Sequence, residues 1–202
     1  MTNVLIIGAS GSLAHAVIAA LKKLPETRLT LFVRRKSRLH GHDADGTTVI
    51  EGDVLDAAAV ERAVHGQDIV YVNLAGDLEP MVRNIVQAMQ AEGVRRIIAI
   101  SSIGIYATPL KSVLRPYRAL ADVIEASGLD YTILRPEWFT DADEVDYALT
   151  HKGEPETGSA ISRKSIAAFI ATLVRDPTQH VKENLGISKP RTHKQWQQDR
   201  RT

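Results

Sequence analysis

The sequence contains no cysteine, which excludes disulfide bonds, thiolate catalysis and thiolate metal sites. It also has little net charge, because 25 Lys and Arg residues face 24 Asp and Glu residues, for a formal charge of +1. So small a charge gives no overall attraction to nucleic acid or to an anionic membrane surface. The apolar runs are only strand-sized, and no charged segment with an apolar signal core opens the chain. We therefore expect a soluble cytoplasmic protein without membrane association.

The length of 202 residues is sufficient for one α/β domain with a sizeable core. Apolar segments of strand length alternate with helical patterns along most of the chain. This alternation predicts a single Rossmann-like domain over residues 1–188, with a doubly wound parallel sheet and helices on both faces. Residues 189–202 are polar and basic, contain Trp196, and are predicted to form a flexible tail. Nucleic-acid binding by the tail is disfavoured, because a few cations without a folded basic face attach only weakly.

The predicted elements follow from the apolar periodicity and from turn residues. The predicted strands are 4–7, 29–33, 47–51, 68–72, 96–101, 131–134 and a last edge strand at 184–188. The predicted helices run from the first glycine turn to Pro25, from the cap Asp56 through Val64, over 81–93, over 113–126, and from the cap Ser162 to Asp176. Residues 140–160 have no clear pattern.

The first strand leads through two glycines into a helical pattern, as Val4-Leu5-Ile6-Ile7-Gly8-Ala9-Ser10-Gly11-Ser12-Leu13-Ala14. Gly8 allows backbone angles that a Cβ would resist, and Gly11 removes a side chain that would keep a phosphate from the backbone. The free N–H groups and the dipole of the following helix form an anion site suited to a pyrophosphate. Similar turns occur in proteins that bind no nucleotide, so the neighbouring segments decide the interpretation.

A basic turn, Arg34-Arg35-Lys36-Ser37-Arg38, ends the second predicted strand. In a dinucleotide-binding unit this position lies beside the adenosine ribose, where an acidic residue would bind the two hydroxyls of NAD. Arginine instead binds a 2′-phosphate through the N–H donors of its planar guanidinium group, so the turn favours NADP(H) over NAD(H). A solvated basic loop is the alternative.

Small and polar residues follow the next three strands. Asp53 is placed to bind the adenine amino group or nearby backbone, although it also fits a simple turn. Leu74-Ala75-Gly76 would let a ribose pass close to the backbone, although a glycine after a strand is often only a turn. Ser101 and Ser102 lie at the carboxyl end of the fifth strand, where ligands of open parallel sheets bind, so we expect these hydroxyls to face the site as candidate catalytic groups.

An acidic stretch lies in the segment without a clear pattern, at Asp141, Asp143, Glu144 and Asp146. The spacing matches no oxygen-ligand loop, so we predict a solvated loop and no metal site.

Together these segments resemble the atypical short-chain dehydrogenase/reductases, and more narrowly the NAD(P)H-binding group of NmrA-like proteins and flavin/biliverdin reductases. The resemblance covers residues 3–188 and also includes Gly52-Asp53-Val54 and Ser127 through Pro136. It implies a site in which each segment holds one part of the cofactor. Pyrophosphate would be bound by Gly8, Ser10, Gly11, Ser12 and Leu13; the 2′-phosphate by Arg34 and Arg38, with Arg35 adjacent; adenine by Asp53 and Val54; ribose by Leu74, Ala75 and Gly76; and the nicotinamide by Ser101, Ser102 and Pro136, with Glu137, Trp138 and Phe139 as the substrate pocket.

One departure from the family pattern bears on the reaction. Ordinary members use a Tyr-x-x-x-Lys pair, in which the lysine lowers the pKa of the tyrosine so that it exchanges a proton with the substrate. Tyr117 stands at a plausible position, but Ala121 replaces the lysine. Tyr117 is therefore a structural residue or a substrate contact, and Tyr106 is a rival catalytic candidate or a loop aromatic.

Two functions fit these observations. The first is an NADPH-dependent reductase of a flavin, quinone or similar conjugated acceptor, which can collect its proton from water. In this case Trp138, Phe139 and Tyr106 would supply a stacking surface. The second is a catalytically silent NADP(H)-binding regulator that acts through a protein partner. The sequence gives no signal for the oligomeric state.

Overall fold

The computed structural model describes residues 1–156 and 158–190. Most of the predicted basic tail, residues 191–202 with Trp196, lies outside the described residues. Lys189, which we predicted as the first residue of the tail, exchanges two backbone hydrogen bonds with Ser159, of 3.1 and 3.2 Å. Lys189 is therefore bridged to the segment that precedes β9.

The described residues form ten strands and five α-helices in chain order. The strands are β1 (Thr2–Ile7), β2 (Thr27–Val33), β3 (Thr48–Glu51), β4 (Ile69–Val72), β5 (Arg96–Ile100), β6 (Asp130–Pro136), β7 (Phe139–Thr140), β8 (Ala148–His151), β9 (Ile161–Ser162) and β10 (Glu183–Ser188). The helices are α1 (Ser12–Leu21), α2 (Ala57–Val64), α3 (Leu78–Ala91), α4 (Arg115–Ala126) and α5 (Arg163–Arg175). Short 3₁₀ turns cover Lys36–Arg38 and Ser112–Leu114.

The main sheet has the strand order β3-β2-β1-β4-β5-β6-β10-β8. All neighbouring pairs are parallel except β10 and β8, which are antiparallel. The chain moves outward from β1 to β3 and then continues from β4 on the other side of β1. In open α/β sheets the ligand crevice forms at the carboxyl ends of the strands where the order reverses. The predicted doubly wound, Rossmann-like fold is confirmed, and its switch point lies between β1 and β4.

Two hydrophobic cores cover the sheet, one on each face. Along β1, Val4 and Ile6 pack on the side of α1 and α5, whereas Leu5 and Ile7 pack on the side of α2, α3 and α4. Successive side chains of a strand point to opposite faces, so a strand covered on both faces must be apolar throughout. This is why the central strands were visible as continuous apolar runs.

The prediction that residues 184–188 form the edge strand is wrong. β10 lies between β6 and β8, and the edge is formed by β8, which falls in the segment where we predicted no element. The side chains of β8 are only partly buried, and its register with β10 is set by backbone hydrogen bonds. An edge strand held in this way needs no apolar alternation, so the sequence carries no signal for it.

The predicted helix caps are confirmed at α2 and α5. Asp56 accepts a hydrogen bond from the N–H of Ala59, and Ser162 accepts one from the N–H of Ser165. The predicted start of the fourth helix at residue 113 is wrong by two residues, because the 3₁₀ turn at Ser112–Leu114 precedes α4.

The acidic stretch is mostly exposed, and three of its four carboxylates are paired with cations. The three ion pairs are Asp141–Arg163, Asp143–Lys164 and Glu144–Lys189. Across the described part of the chain, no cluster of three or more His, Asp or Glu side chains is arranged to hold a metal ion. None of the helices in residues 1–156 and 158–190 combines the length and the apolar character needed to span a bilayer.

Candidate functional site: a dinucleotide cradle

The glycine turn lies at the switch point between β1 and β4. Gly8 has a φ of +83°, and a Cβ there would lie 2.1 Å from the carbonyl oxygen of Asn73, the residue that follows β4. The Gly8 N–H donates to the carbonyl of Phe32 in β2 at 3.2 Å, and the Gly11 N–H donates to Gly8 at 3.1 Å. Position 8 therefore requires glycine both for its backbone angle and for the space between the strands.

The N-terminus of α1 is open to an anion. Gly11 is its cap residue, with ordinary extended angles and no side-chain hydrogen bond to the first turn. A Cβ at Gly11 would lie 2.9 Å from the side-chain nitrogen of Asn73, so crowding rather than backbone strain favours glycine here. Ser12 is exposed, whereas the Leu13 side chain is buried in the core and only its backbone can contact a ligand. These features fit a pyrophosphate held by N–H groups of the first turn.

The basic turn begins two residues after Phe32, whose carbonyl accepts the Gly8 N–H. Arg34, Arg35 and Arg38 come within six residues of Phe32, around the 3₁₀ turn. All three arginine side chains are exposed. Within residues 1–156 and 158–190, none of their guanidinium groups has a hydrogen-bond or ion-pair partner, so they are free to bind a phosphate group.

The segment predicted to bracket adenine is held by its own contacts. The Asp53 carboxylate accepts the N–H of Leu55 at 2.9 Å, which closes a local turn and leaves its second oxygen available. The Val54 side chain is buried in the core, and its carbonyl accepts a hydrogen bond from Asn84 at 2.9 Å. Val54 can therefore meet adenine only through its backbone.

The segment predicted to line the ribose lies beside the glycine turn. Leu74 Cδ2 would lie 3.1 Å from a Cβ at Gly8. Ala75 and Gly76 are exposed, and Gly76 has a φ of +110°. This segment connects the carboxyl end of β4 to the start of α3.

The two serines after β5 differ in accessibility. Ser101 is 3% exposed, and its hydroxyl donates to the backbone carbonyl of Tyr117 at 3.0 Å. Ser102 is partly exposed, and its hydroxyl donates to the carbonyl of Ile103 at 3.2 Å. The prediction that both hydroxyls face the site therefore differs from the structure at Ser101, which holds α4 against β5. The Tyr117 side chain is partly buried against the core on the α2, α3 and α4 side.

Tyr106 lies in a closed polar cluster rather than on an open surface. Its hydroxyl donates to Glu125 at 3.2 Å and accepts a hydrogen bond from the Asn184 amide at 2.7 Å. Three cations surround its ring, with centroid distances of 4.8 Å for Arg118, 5.3 Å for Arg135 and 4.7 Å for Lys152. Burial raises the pKa of the Tyr106 phenol, and the charge of Glu125 raises it further. The structure therefore does not favour Tyr106 as a proton donor or as a stacking surface for an acceptor.

A buried arginine ties this cluster to the loop after β5. Arg135 is 1% exposed, and its guanidinium donates to Glu156 at 2.8 Å and to the Asn184 carbonyl at 2.7 Å. The other carboxylate oxygen of Glu156 accepts the N–H of Gly104 at 3.0 Å. Glu156 therefore fixes the position of the loop that leaves β5 beside the predicted nicotinamide site.

The aromatic residues after β6 are more exposed than the prediction of an enclosing pocket requires. Pro136 is buried within β6, and Glu137 is half-buried. Trp138 is 83% exposed and Phe139 is 36% exposed. Their rings form an open surface at the carboxyl edge of the sheet, which differs from the dry enclosure we expected.

Comparison with family models matches residues 8–177 to the NAD(P)H-binding family. The matched range begins directly after β1 and includes the glycine turn, the basic turn and β4. The chain belongs to the NAD(P)H-binding family. The resemblance to the atypical short-chain dehydrogenase/reductases, which we inferred from the same segments, is confirmed by this match.

Known proteins similar to this NAD(P)H-binding chain include enzymes and solved structures. Quinone oxidoreductase 2 from Escherichia coli (strain K12) is 32% identical over 143 residues, which are 67% of this chain and 49% of that protein. A Rossmann-fold NAD(P)-binding family protein from Shigella flexneri is 46% identical, with a TM-score of 0.88 over 95% of both chains. A short-chain dehydrogenase/reductase from Veillonella parvula DSM 2008, solved in complex with NADP, is 26% identical, with a TM-score of 0.85 over 95% of this chain and 96% of that one. The chain spans about half the length of the first curated relatives that it matches.

Two residues of this NAD(P)H-binding site had no predicted role. Asn73 contacts the positions of both glycines, and its place directly after β4 at the switch point is a signal that could have found it. Arg163, the first residue of α5, donates to the Ser12 hydroxyl at 3.2 Å from 151 residues away. No local pattern could have predicted this contact, because it depends on how α5 packs beside α1.

A groove of about 310 Å³ opens beside the cradle, between the start of α1 and the start of α5. Its lining residues include Ser12, His15, His40, Thr140, Asp141 and Arg163. His40 Nε2 lies 3.2 Å from the carbonyl oxygen of Ser10, and His15 Nδ1 lies 2.8 Å from the buried carboxylate of Asp43. The loop between the basic turn and β3 is therefore folded back against α1.

Proposed function

We propose that this chain is an NADPH-dependent reductase that transfers a hydride to a quinone, a flavin or a similar conjugated acceptor. The observation that carries the proposal is a dinucleotide cradle without the Tyr-Lys proton relay. Ala121, which stands where the lysine would be, is fully buried in the core below Tyr117. Similarity to a quinone oxidoreductase and to a short-chain dehydrogenase/reductase solved with NADP supports the proposal.

The cradle residues bind and orient the cofactor. The first turn of α1 binds the pyrophosphate, and Arg34 and Arg38 bind the 2′-phosphate, which makes NADP(H) the preferred cofactor. Leu74, Ala75 and Gly76 allow the chain of the cofactor to pass close to the backbone. A cytoplasmic location is part of the same proposal.

NADPH supplies a hydride when bound, and the balanced reaction with a quinone is NADPH + H⁺ + quinone → NADP⁺ + hydroquinone. A conjugated acceptor spreads the incoming negative charge over its ring and can take its proton from water. The protein then needs to hold the two rings together in the correct geometry. The exposed rings of Trp138 and Phe139 lie at the carboxyl edge of the sheet and can stack on a planar acceptor.

The acceptor class is tested by NADPH oxidation with a panel of quinones, free flavins and simple ketones. We expect turnover with quinones or flavins and none with ketones, since a ketone requires a protein acid. A protein that binds NADPH and reduces only ketones would contradict the proposal.

Cofactor preference is tested by replacing Arg34. Arg34→Ala removes charge-assisted hydrogen bonds to the 2′-phosphate, which contribute about 1.5–3 kcal/mol. We expect the Kd for NADPH to rise about 10-fold to 100-fold and the Kd for NADH to stay unchanged, as measured by calorimetric titration. Lys36→Ala, in the same exposed turn, is the matched control. An unchanged NADPH to NADH affinity ratio in Arg34→Ala would refute the 2′-phosphate assignment.

The absence of a protein acid is tested at Tyr117. Removing a general acid lowers kcat about 100-fold to 10,000-fold. Because Tyr117 has no lysine to lower its pKa, we expect Tyr117→Phe to keep kcat for a quinone within about threefold of wild type. Ser102→Ala should behave in the same way. A loss of two or more orders of magnitude in either variant would show that its hydroxyl delivers the proton.

The alternative of a silent NADP(H)-binding regulator receives no support from the comparisons. It predicts tight NADPH binding without oxidation by any acceptor, so the acceptor panel also distinguishes the two functions.

A further inference from the structure

Arg163 connects three parts of the molecule that the proposed reaction uses. Its Nε donates to the hydroxyl of Ser12 at 3.2 Å, at the first residue of α1. Its terminal nitrogen donates to the Asp141 carboxylate at 2.6 Å, and its guanidinium carbon lies 5.3 Å from the centroid of the Phe139 ring. One side chain therefore contacts the pyrophosphate end of the cradle, the segment that follows β7 and an aromatic ring of the predicted acceptor surface.

Asp141 is a weak partner for this guanidinium. The carboxylate side chain is 92% exposed, whereas the Arg163 side chain is 23% exposed. Water and salt screen an ion pair of this kind, so it holds the arginine only loosely. A pyrophosphate on the first turn of α1 would offer more negative charge, in a position that the helix dipole also favours.

We propose that Arg163 binds the pyrophosphate of the cofactor and exchanges Asp141 for it when the cofactor arrives. This inference rests on the proposed function, because it requires a dinucleotide on the first turn of α1. The exchange releases Asp141 and shifts the guanidinium relative to Phe139, so occupancy of the cofactor site alters the acceptor surface. Arg163 is thus a cofactor-binding residue that positions Phe139, and no motif in the sequence marks it.

The exchange predicts effects of opposite sign for the two partners. Arg163→Ala should weaken NADPH and NADH binding equally, about tenfold, because both cofactors carry the pyrophosphate. Asp141→Asn should tighten binding of both about twofold to fivefold, because it removes the competing carboxylate. In the Arg163→Ala background, Asp141→Asn should have no further effect. A purely structural role of the ion pair would instead make both single variants bind more weakly.

The binding experiment is calorimetric titration of each variant with NADPH, NADH and 2′-AMP. The nucleotide 2′-AMP has the 2′-phosphate but no pyrophosphate, so Arg163→Ala should leave its Kd unchanged while Arg34→Ala weakens it. Lys164→Ala is the matched control, because Lys164 is the next residue and forms the neighbouring ion pair with Asp143. Equal weakening in Lys164→Ala would show a general loss of positive charge and would overturn the assignment.

A second readout reports the acceptor surface. Trp138 lies next to Phe139, and in a Trp196→Phe background it is the only tryptophan of the chain. We expect NADPH to change its fluorescence in this background and to change it much less after Arg163→Ala, at saturating cofactor. An unchanged response would refute the link to Phe139. If the wild-type protein binds neither NADPH nor NADH, the proposed function fails; if it binds both and Arg163→Ala binds them equally well, only this inference fails.

Discussion

Gly8→Ala is expected to destabilise the fold by about 3 kcal/mol or more and to remove measurable NADPH binding. The alanine would have to adopt a φ of +83°, and its Cβ would lie 2.1 Å from the carbonyl oxygen of Asn73. That oxygen belongs to the backbone at the end of β4, so the two strands at the switch point must move apart. Urea unfolding and calorimetric titration with NADPH measure the two effects.

Substitutions at two further glycines separate the effect of backbone strain at Gly8 from the effect of steric crowding. Gly93→Ala is the matched control for backbone strain, because Gly93 has a φ of +71° and open space around the position of a Cβ. It should cost only about 1–2 kcal/mol and leave NADPH binding unchanged. Gly11→Ala should fold nearly normally, since it meets only a flexible side chain and has ordinary angles, and should still weaken NADPH binding. Wild-type affinity in Gly8→Ala would contradict the cradle.

Glu156→Ala is expected to lower the free energy of unfolding by about 3 kcal/mol, because it breaks a buried ion pair. Arg135 is 1% exposed and would lose the carboxylate that lies 2.8 Å from its Nε. The N–H of Gly104 would lose its acceptor at the same time. The loop after β5 would then be less well fixed, so kcat for a quinone should also fall. Urea unfolding and steady-state kinetics measure the two effects.

Two controls test whether the loss of stability comes from the ion pair with the buried Arg135. Glu79→Ala breaks the exposed pair with Arg83, at 2.7 Å, and should cost less than about 0.5 kcal/mol. In an Arg135→Met background, Glu156→Ala should cost much less than in the wild type, because no buried guanidinium loses its carboxylate. Equal costs in both backgrounds would show that Glu156 acts independently of Arg135.

The fold could be predicted where the chain is covered on both faces. β1, β4 and β5 are apolar over most of their length because both cores need them, and the glycines mark the turn between β1 and α1. β8 gave no signal, since an edge strand with partly buried side chains is held by backbone hydrogen bonds. The prediction therefore placed β10 wrongly in the sheet, although it gave the residues of the strand to within one position.

The cofactor cradle could be predicted because most of it is local in sequence. Gly8 allows a positive φ, Gly11 leaves space beside Asn73, and the basic turn carries charge. These properties follow directly from residue type. Arg163 could not be found in this way, because its contact with Ser12 depends on the packing of α5 beside α1. The burial of Ser101 could not be predicted either, because its hydroxyl donates to the carbonyl of Tyr117 in the following helix, 16 residues away.

The proposed reaction is the transfer of a hydride from bound NADPH to a conjugated acceptor. The most direct measurement is a single turnover, with protein in excess over NADPH and a water-soluble naphthoquinone added by rapid mixing. If the proposed hydride transfer occurs, the bound nicotinamide is oxidised at a rate that saturates with protein concentration. The rate is lower when the transferred hydrogen is deuterium. Bound NADPH that stays reduced in the presence of the naphthoquinone and of free flavins would contradict the account.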